Sequence, residues 1–230
     1  MLKYVALIML LLPAAAHAQQ KPKKGITFCG WRISDTSAMH LGFDTTLAFM
    51  RISDGDTIVD IGASSGYIEG VLSVVGKFRD VHFVLVDIDS NCLNRPMVDN
   101  MLAYYSGVKE ARINNHFSLV INTVDSLYLP LQHYRHSWLL NTLHEIPDKA
   151  KLIRDIGAVL QQGGELLVME LLARPKHMIH GGCNQPLMDE TQIKKLLEEN
   201  GFVQADSKTW NPNQAKTARN PYYIVRFIKK

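Results

Sequence analysis

Residues 57–70 read TIVDIGASSGYIEG, a β-branched run that reaches an acid and is followed by alternating small residues. The small residues are Gly62, Ser64 and Gly66, and an apolar pattern with helical spacing starts directly after them. A strand, a tight small-residue turn and a helix start, in this order, are typical of a loop whose backbone comes close to a ligand. The stretch therefore predicts contact with a phosphate, a dinucleotide or another nucleotide-like cofactor.

Strands and helices alternate on both sides of this loop. Apolar periodicity predicts helices over 35–50, 66–77, 91–105 and 147–162 and strands over 57–61, 81–87, 117–122, 137–140 and 165–172. Such alternation implies right-handed crossovers and a mostly parallel sheet, whose ligands bind beyond the carboxyl ends of the strands. The sequence predicts an α/β fold with the loop at that edge.

The C-terminal part predicts one more helix and an antiparallel pair. Asp189 and Gln192 have the spacing of a capping box in front of an amphipathic helix. Two extended stretches follow, near 202–210 and 222–228, and the polar loop between them is typical of antiparallel pairing. We expect this pair at one edge of the sheet.

Two phosphate-binding loops are excluded by the residues at 62–67. A dinucleotide loop needs G-x-G-x-x-G, but Ser64 stands at the second glycine and the bulky Tyr67 at the third. A Walker loop needs a lysine after its last glycine, and none follows Gly66. Asp60 places negative charge beside the loop, which argues against an anionic ligand.

Acidic residues follow three successive predicted strands, and they indicate what the ligand carries. Asp87 ends the second strand, where a carboxylate can accept both hydroxyls of a ribose. Asp125 follows the third strand, in position to accept from the exocyclic amine of adenine. Asp60 is expected to order the loop or to face an ammonium group. These acids favour a cationic ligand with a ribose and an adenine.

Several stretches together resemble the class I S-adenosylmethionine-dependent methyltransferases. DIGASSG (60–66) resembles their first motif, D-x-G-x-G-x-G, VLVDIDSNCL (84–93) the second and INTVDSLYLP (121–130) the third. The stretch 139–172 resembles strand four, its helix and strand five, and 191–206 resembles the elements that close the fold. The small-molecule, ubiquinone/menaquinone methyltransferase-like members are the most similar.

This resemblance implies the architecture and the cofactor. It implies a Rossmann-like methyltransferase domain over 35–230, with a mostly parallel seven-stranded sheet, an antiparallel C-terminal edge strand and helices on both faces. The cofactor is then S-adenosyl-L-methionine. Its methionine end would be lined by Asp60, Gly62, Ser64 and Gly66.

The remaining cofactor contacts follow from the same resemblance. Asp87 would hold the ribose, and Ile88 would lie against the adenine. Asp125 and Ser126 would meet the amino edge of the adenine. Asn141, at the end of strand four, would lie near the sulfonium and the incoming acceptor.

Methyl transfer from a sulfonium is an in-line displacement with a good leaving group, so the protein mainly has to align the reactants. Positioning can contribute about 7–11 kcal/mol to lowering such a barrier. A base is needed only if the acceptor starts protonated, and His144 and Glu145 after strand four are the candidates. The alternative is that His144 only packs at the strand-to-helix turn.

Composition and charge restrict the partners. The chain has 230 residues, of which 47% are hydrophobic and 20% are charged, as expected for one globular domain. The formal net charge of +3 is too small to indicate nucleic acid binding. A small-molecule or lipid-like acceptor is expected, and no oligomeric state is indicated.

The first residues form a separate segment. A lysine precedes the apolar run 5–16, and Ala16-His17-Ala18 matches a cleavage site, so 1–18 is predicted to be a signal peptide and 19–34 a flexible leader. A cleaved chain is exported, periplasmic or secreted, without stable membrane insertion. The alternative is a retained inner-membrane anchor with the domain on the cytoplasmic side, favoured by the three lysines that follow the run. A third hypothesis is an exported, non-catalytic cofactor- or nucleoside-binding module.

The chain contains three cysteines, Cys29, Cys92 and Cys183, without a CxxC pair. In an oxidising compartment one bridge and one free thiol are possible, and the sequence does not select the pair. His177, His180 and Cys183 lie at regular spacing in one predicted loop. Because no fourth ligand is evident, the prediction is that the chain binds no metal.

Overall fold

A computed structural model of the chain describes Cys29, Ile33, 36–210 and 220–230. The predicted signal peptide lies outside the described residues, as does most of the leader. The helices are α1 (Thr36–Met50), α2 (Tyr67–Val75), α3 (Arg95–Lys109), α4 (Lys149–Val159) and α5 (Glu190–Glu199). The strands are β1 (Thr57–Ile61), β2 (His82–Asp87), β3 (His116–Ile121), β4 (Tyr134–Leu140), β5 (Leu160–Leu171), β6 (Phe202–Trp210) and β7 (Tyr222–Lys229).

The seven strands form one sheet in the order β3-β2-β1-β4-β5-β7-β6. The pairs among β1 to β5 are parallel, whereas β7 runs antiparallel to both of its neighbours, β5 and β6. The predicted fold class is confirmed, because the sheet has seven strands and is mostly parallel. Its antiparallel C-terminal strand, β7, is the second strand from one edge, and β6 forms that edge.

Apolar side chains cover both faces of the sheet, as strands buried between helices require. Ile58 of β1 packs on one face with residues of α1, α2 and α3. Val59, the next residue, packs on the other face with residues of α4 and α5. This alternation makes β1 part of both cores, with helices covering each of its faces.

The order of the strands reverses at β1. Chain order runs from β1 outward through β2 to β3, and the next strand, β4, returns to pair with the other side of β1. A crevice forms where such a reversal occurs, beyond the carboxyl ends of the strands, and ligands of α/β sheets bind there. The loop 62–66 and the segment after β4 both lie at this crevice.

Local end signals behave as predicted at α5 and differently at α4. The Asp189 side chain accepts from Gln192 N at 2.8 Å and the Gln192 side chain accepts from Asp189 N at 2.9 Å, so the capping box is confirmed. The helix predicted to reach 162 ends at Val159 instead, because Leu160 is extended and pairs with Tyr134 as the start of β5.

A disulfide joins Cys29 of the predicted leader to Cys92, which lies between β2 and α3. Cys183 is a free cysteine and is partly exposed. The bridge ties the segment before α1 to the same edge of the sheet as the loop 62–66. Within the described ranges no helix has both the length and the apolar character needed to cross a membrane.

The bridge makes a prediction that thiol chemistry can check. The unfolded, unreduced chain in chelator should show one reactive thiol, and all three cysteines should react after reduction. The double variant Cys29→Ser/Cys92→Ser should lose about 2–4 kcal/mol of unfolding free energy, because the bridge constrains an otherwise long loop.

Urea unfolding with and without dithiothreitol supplies the internal control. Reductant should lower the stability of the wild type to that of the double variant and leave the variant unchanged. Three reactive thiols in the unreduced chain would show that the bridge does not form.

Candidate functional site

The loop after β1 is shaped by residues with left-handed backbone conformations. Gly62, Ser64 and Gly66 have φ values of 81°, 51° and 75°. A Cβ added to Gly62 would lie 2.2 Å from the side chain of Thr142, so only glycine fits against the segment that follows β4. Ser64 adopts a conformation that non-glycine residues take only at a cost. Contacts with the rest of the protein therefore hold the loop in its conformation, since Ser64 alone would not favour this backbone geometry.

Backbone hydrogen bonds attach this loop to the end of β2. Gly62 N and Ala63 N donate to Val86 O at 2.8 and 3.1 Å. Ser64 N donates to Oδ2 of Asp87 at 2.7 Å, and Asp89 N donates to Oδ1 of the same carboxylate at 2.9 Å. Each carboxylate oxygen has two lone pairs, so Asp87 keeps acceptor capacity for a ligand after these two bonds.

The leader also contacts the loop. The backbone carbonyl of Cys29 accepts from Ser64 Oγ at 2.6 Å and from Ser65 Oγ at 3.2 Å. Together with the bridge to Cys92, these bonds hold one point of the leader on the small-residue loop. The hydroxyl of Ser64, which stands where the methyltransferase motif has its middle glycine, thus has a structural function that glycine could not perform.

Two buried acids lie beneath the loop, and the sequence analysis identified only one of them. Asp60, at 2% exposure, is next to Glu69 of α2, which is fully buried. Burial, followed by the negative charge of Glu69, raises the pKa of Asp60 well above its ordinary value. Burial also raises the pKa of Glu69. Two carboxyl groups buried at one place disfavour each other's ionisation, in addition to the effect of burial.

The residues predicted to meet the adenine lie at the ends of β2 and β3. The Ile88 side chain is 57% exposed beside Asp87, as a surface for a flat ring requires. Asp125 is exposed, and Ser126 closes a tight turn by donating from its N to Thr123 O at 3.4 Å. Asp125 follows β3, which is two strands away from β1 in the sheet. Only an extended ligand could contact both Asp125 and the loop after β1.

Asn141 terminates β4 with a left-handed backbone, φ 58°. Its N donates to Met169 O at 2.6 Å, which fixes the residue against β5. Its side-chain Oδ1 is buried, and within the described ranges it has no hydrogen-bond partner. An unpaired acceptor of this kind, next to the Thr142 that touches Gly62, is available to a ligand in the crevice.

His144 lies in a short 3-10 helix after β4 and is held by Glu170 of β5. His144 Nδ1 is 2.8 Å from Oε2 of Glu170, and Leu143 N donates to the other carboxylate oxygen at 2.5 Å. Both side chains are almost fully buried. The second ring nitrogen, Nε2, lies 3.7 Å from Oε1 of the half-exposed Glu145 and has no hydrogen-bond partner in the part of the chain that the structure describes. Glu170 was missed by the sequence analysis, although a single acid inside the apolar run LLVMELL is a visible signal.

The loop after β5 adds two side chains to this turn. The His144 and His180 rings have centroids 4.5 Å apart, and His180 Nδ1 lies 3.0 Å from Cys183 Sγ. Burial raises the pKa of the Cys183 thiol and lowers the pKa of His180. Both shifts favour the neutral thiol and the neutral imidazole, so the pair is not an activated thiolate nucleophile.

A cavity of about 500 Å³ opens at the opposite edge of the sheet, between the turn before β1 and the start of β4. Arg51, His133 and His136 are among its lining residues. This edge carries the amino ends of β1 and β4, whereas ligands of open α/β sheets bind at the carboxyl ends. The candidate site is therefore the crevice at the loop 62–66.

The buried acid pair makes a prediction about pH. A carboxyl whose pKa is higher in the folded protein destabilises the fold progressively as pH rises above about 4, because the unfolded chain ionises first. The Asp60→Asn variant lacks this carboxyl, so its unfolding free energy should increase relative to that of wild type as pH rises above about 4. Urea unfolding at several pH values measures this difference.

Asp80→Asn is the matched control, since Asp80 is exposed at the other end of β2 and Asn tolerates its left-handed backbone. Its difference from wild type should not follow this trend. If the difference in unfolding free energy between Asp60→Asn and wild type did not depend on pH, the raised pKa of Asp60 would be contradicted.

No protein-family profile matches the chain. Among solved structures it is similar to a SAM-dependent methyltransferase from Methanosarcina mazei, with a TM-score of 0.60 and 15% identity over 80% of this chain and 96% of that one. It is similar to the [4+2]-cyclase SpnF, with a TM-score of 0.61 and 17% identity over 87% and 86% of the two chains.

A third similar structure is phosphoethanolamine N-methyltransferase 2 from Haemonchus contortus, in complex with phosphomonomethylethanolamine and S-adenosylhomocysteine. Its TM-score is 0.56 at 15% identity, over 84% of this chain and 56% of that one. Similarity at such identities establishes architecture. The chain has the Rossmann-like class I fold of the S-adenosylmethionine-dependent methyltransferases.

Proposed function

We propose that the chain is an S-adenosylmethionine-dependent methyltransferase that acts on a small or lipid-like acceptor, similar to the ubiquinone/menaquinone methyltransferase-like group. The observation that carries the proposal is the junction of the loop 62–66 with Asp87 at the carboxyl edge of the sheet. This junction brings a small-residue backbone and a ribose-binding carboxylate into direct contact. The fold shared with methyltransferases supports the same cofactor.

The methionine end of the cofactor is assigned to the loop after β1. Gly62 and Gly66 let the backbone approach the ligand, and Ser64 shapes the loop between them. Asp60 lies beneath this loop with its raised pKa. A cationic ammonium group above it favours the charged carboxylate, so cofactor binding should lower the pKa of Asp60.

The nucleoside end is assigned to the ends of β2 and β3. Asp87 accepts the ribose hydroxyls with the lone pairs that Ser64 N and Asp89 N leave available. The exposed Ile88 side chain supports one face of the adenine. Asp125 and Ser126 meet the amino edge of the base from the turn after β3.

The transfer itself takes place beside the segment after β4. We assign Asn141 Oδ1, buried and unpaired, to the neighbourhood of the sulfonium and the acceptor. Proton removal from a protonated acceptor is assigned to His144 or Glu145, with Glu170 holding the His144 ring in place. The methyl group then passes in line from sulfur to the acceptor, and alignment supplies most of the rate.

The same proposal places the protein in an exported location, periplasmic or secreted, after cleavage of residues 1–18. The Cys29–Cys92 bridge supports it, because disulfides persist mainly in oxidising compartments. Mass measurement of the mature N-terminus tests the proposed cleavage, because a chain that begins at Gln19 excludes a retained anchor.

Calorimetric titration of S-adenosylmethionine tests the cofactor site directly. Asp87→Asn should weaken binding by about 10–100-fold, because it removes the charge from hydrogen bonds worth about 1.5–3 kcal/mol each. Asp80→Asn makes the same substitution at the far end of the same strand and should bind like wild type.

Formation of S-adenosylhomocysteine with a panel of thiols, phenols and quinols separates enzyme from binding module. Cofactor binding without turnover on any acceptor would favour a non-catalytic module. Equal affinity in wild type and Asp87→Asn would contradict the proposed ribose contact, and no binding to the folded wild type would contradict the cofactor assignment.

A further inference from the structure

We propose that His144, His180 and Cys183 bind a divalent metal ion of the zinc class at the carboxyl edge of the sheet. Each of the three side chains offers one donor atom, and all three atoms lie within 4.8 Å of one another. They come from two distant segments, the turn after β4 and the loop after β5. This reverses the sequence-based expectation that the chain binds no metal, which considered only the spacing within that loop.

The free nitrogen of His144 is the second observation that points to a ligand. His144 is 2% exposed, and its Nε2 has no hydrogen-bond partner among the described residues. A buried ring nitrogen without a partner is costly, and native proteins rarely leave one. A metal ion bonded to Nε2 would satisfy it from the side where His180 and Cys183 lie.

Glu170 orients His144 as carboxylates orient metal-bound histidines. His144 Nδ1 is 2.8 Å from Glu170 Oε2, with both side chains buried. With its hydrogen on Nδ1 and directed at the carboxylate, the ring presents the Nε2 lone pair to the ion. The Leu143 N–H bond to the other oxygen of Glu170 fixes this carboxylate in turn.

The donor types select the metal. Two imidazoles and a thiolate are soft or borderline ligands, which suit Zn²⁺ and do not suit Mg²⁺ or Ca²⁺. Glu145 lies close by, with Oε1 3.7 Å from His144 Nε2. Three protein ligands with a fourth position for Glu145, water or substrate is the pattern of catalytic zinc sites.

The loop geometry allows the donors to close on an ion. Bonds of about 2.0–2.3 Å in a tetrahedral site put donor atoms about 3.5 Å apart, so the present limit of 4.8 Å requires a shift of about 1 Å. His180 N donates to Gln185 O at 2.8 Å, so His180 and Cys183 lie within one tight hairpin. Both are only partly buried and can move with that hairpin.

At this position the ion would have a role in the proposed reaction, but metal binding does not depend on that reaction. Thr142, two residues before His144, touches Gly62 of the cofactor loop. An ion at Nε2 would lower the pKa of a bound thiol or hydroxyl, and Glu145, the other candidate base, would take the proton in place of His144. Metal binding itself rests on the three donors alone and stands if the cofactor assignment fails.

Cobalt substitution tests the site on the purified chain, prepared without a histidine tag and treated with chelator. One equivalent of Co²⁺ should bind and produce a thiolate-to-cobalt charge-transfer band together with tetrahedral d–d bands. Cys183→Ser should abolish the charge-transfer band, and His180→Ala should weaken Co²⁺ and Zn²⁺ binding by more than 10-fold. Glu170→Gln, which removes no proposed ligand but weakens the hold on the His144 ring, should weaken binding by about 10–100-fold.

His177→Ala is the matched control, since it removes a histidine from the same loop that lies outside the cluster. It should bind Co²⁺ like wild type. Absence of stoichiometric binding, or binding that Cys183→Ser and His180→Ala leave unchanged, would overturn the proposal. Titration of S-adenosylmethionine into the Cys183→Ser chain separates the two sites, because loss of the metal should leave cofactor affinity in place.

Discussion

The Asp87 carboxylate is the contact on which the candidate site depends. Its oxygens accept from Ser64 N and Asp89 N, so a single side chain fixes the loop after β1 relative to the turn after β2. β1 and β2 are parallel neighbours, and both segments therefore leave the sheet at one edge. The group that would bind a ribose is also the group that shapes the loop around the rest of the ligand. A change at Asp87 would for this reason alter both the geometry of the loop and the affinity for the proposed ligand.

Ionisable groups are buried on both sides of this contact, which is unusual in an otherwise apolar interior. Asp60 and Glu69 lie under the glycine loop, while His144 and Glu170 lie behind the turn after β4. Burying them costs stability that an apolar core would keep. Buried and partly unpaired ionisable groups of this kind concentrate at functional sites, and here both pairs lie near the carboxyl ends of the central strands.

Much of the fold could be predicted because its determinants are local. The β-branched run of β1 and the capping box at Asp189 are visible in a few consecutive residues and appear in the structure as expected. The start of α3 was predicted too early, because Asn94 caps the helix through Met97 N instead of lying within it. The sequence could not reveal contacts that exist only in the folded chain: the partner of Cys29, the contact between Asp60 and Glu69, and the approach of His180 and Cys183 to His144.

The link between Cys29 and Cys92 has a practical consequence for anyone who produces this protein. The carbonyl that accepts hydrogen bonds from the hydroxyls of Ser64 and Ser65 belongs to a bridged residue, and such a bridge persists mainly where thiols are oxidised. A chain made in the cytoplasm of a heterologous host and a chain secreted by it would share one sequence and differ in whether Cys29 is tied to Cys92. The choice of expression compartment thus decides which form of the site is purified.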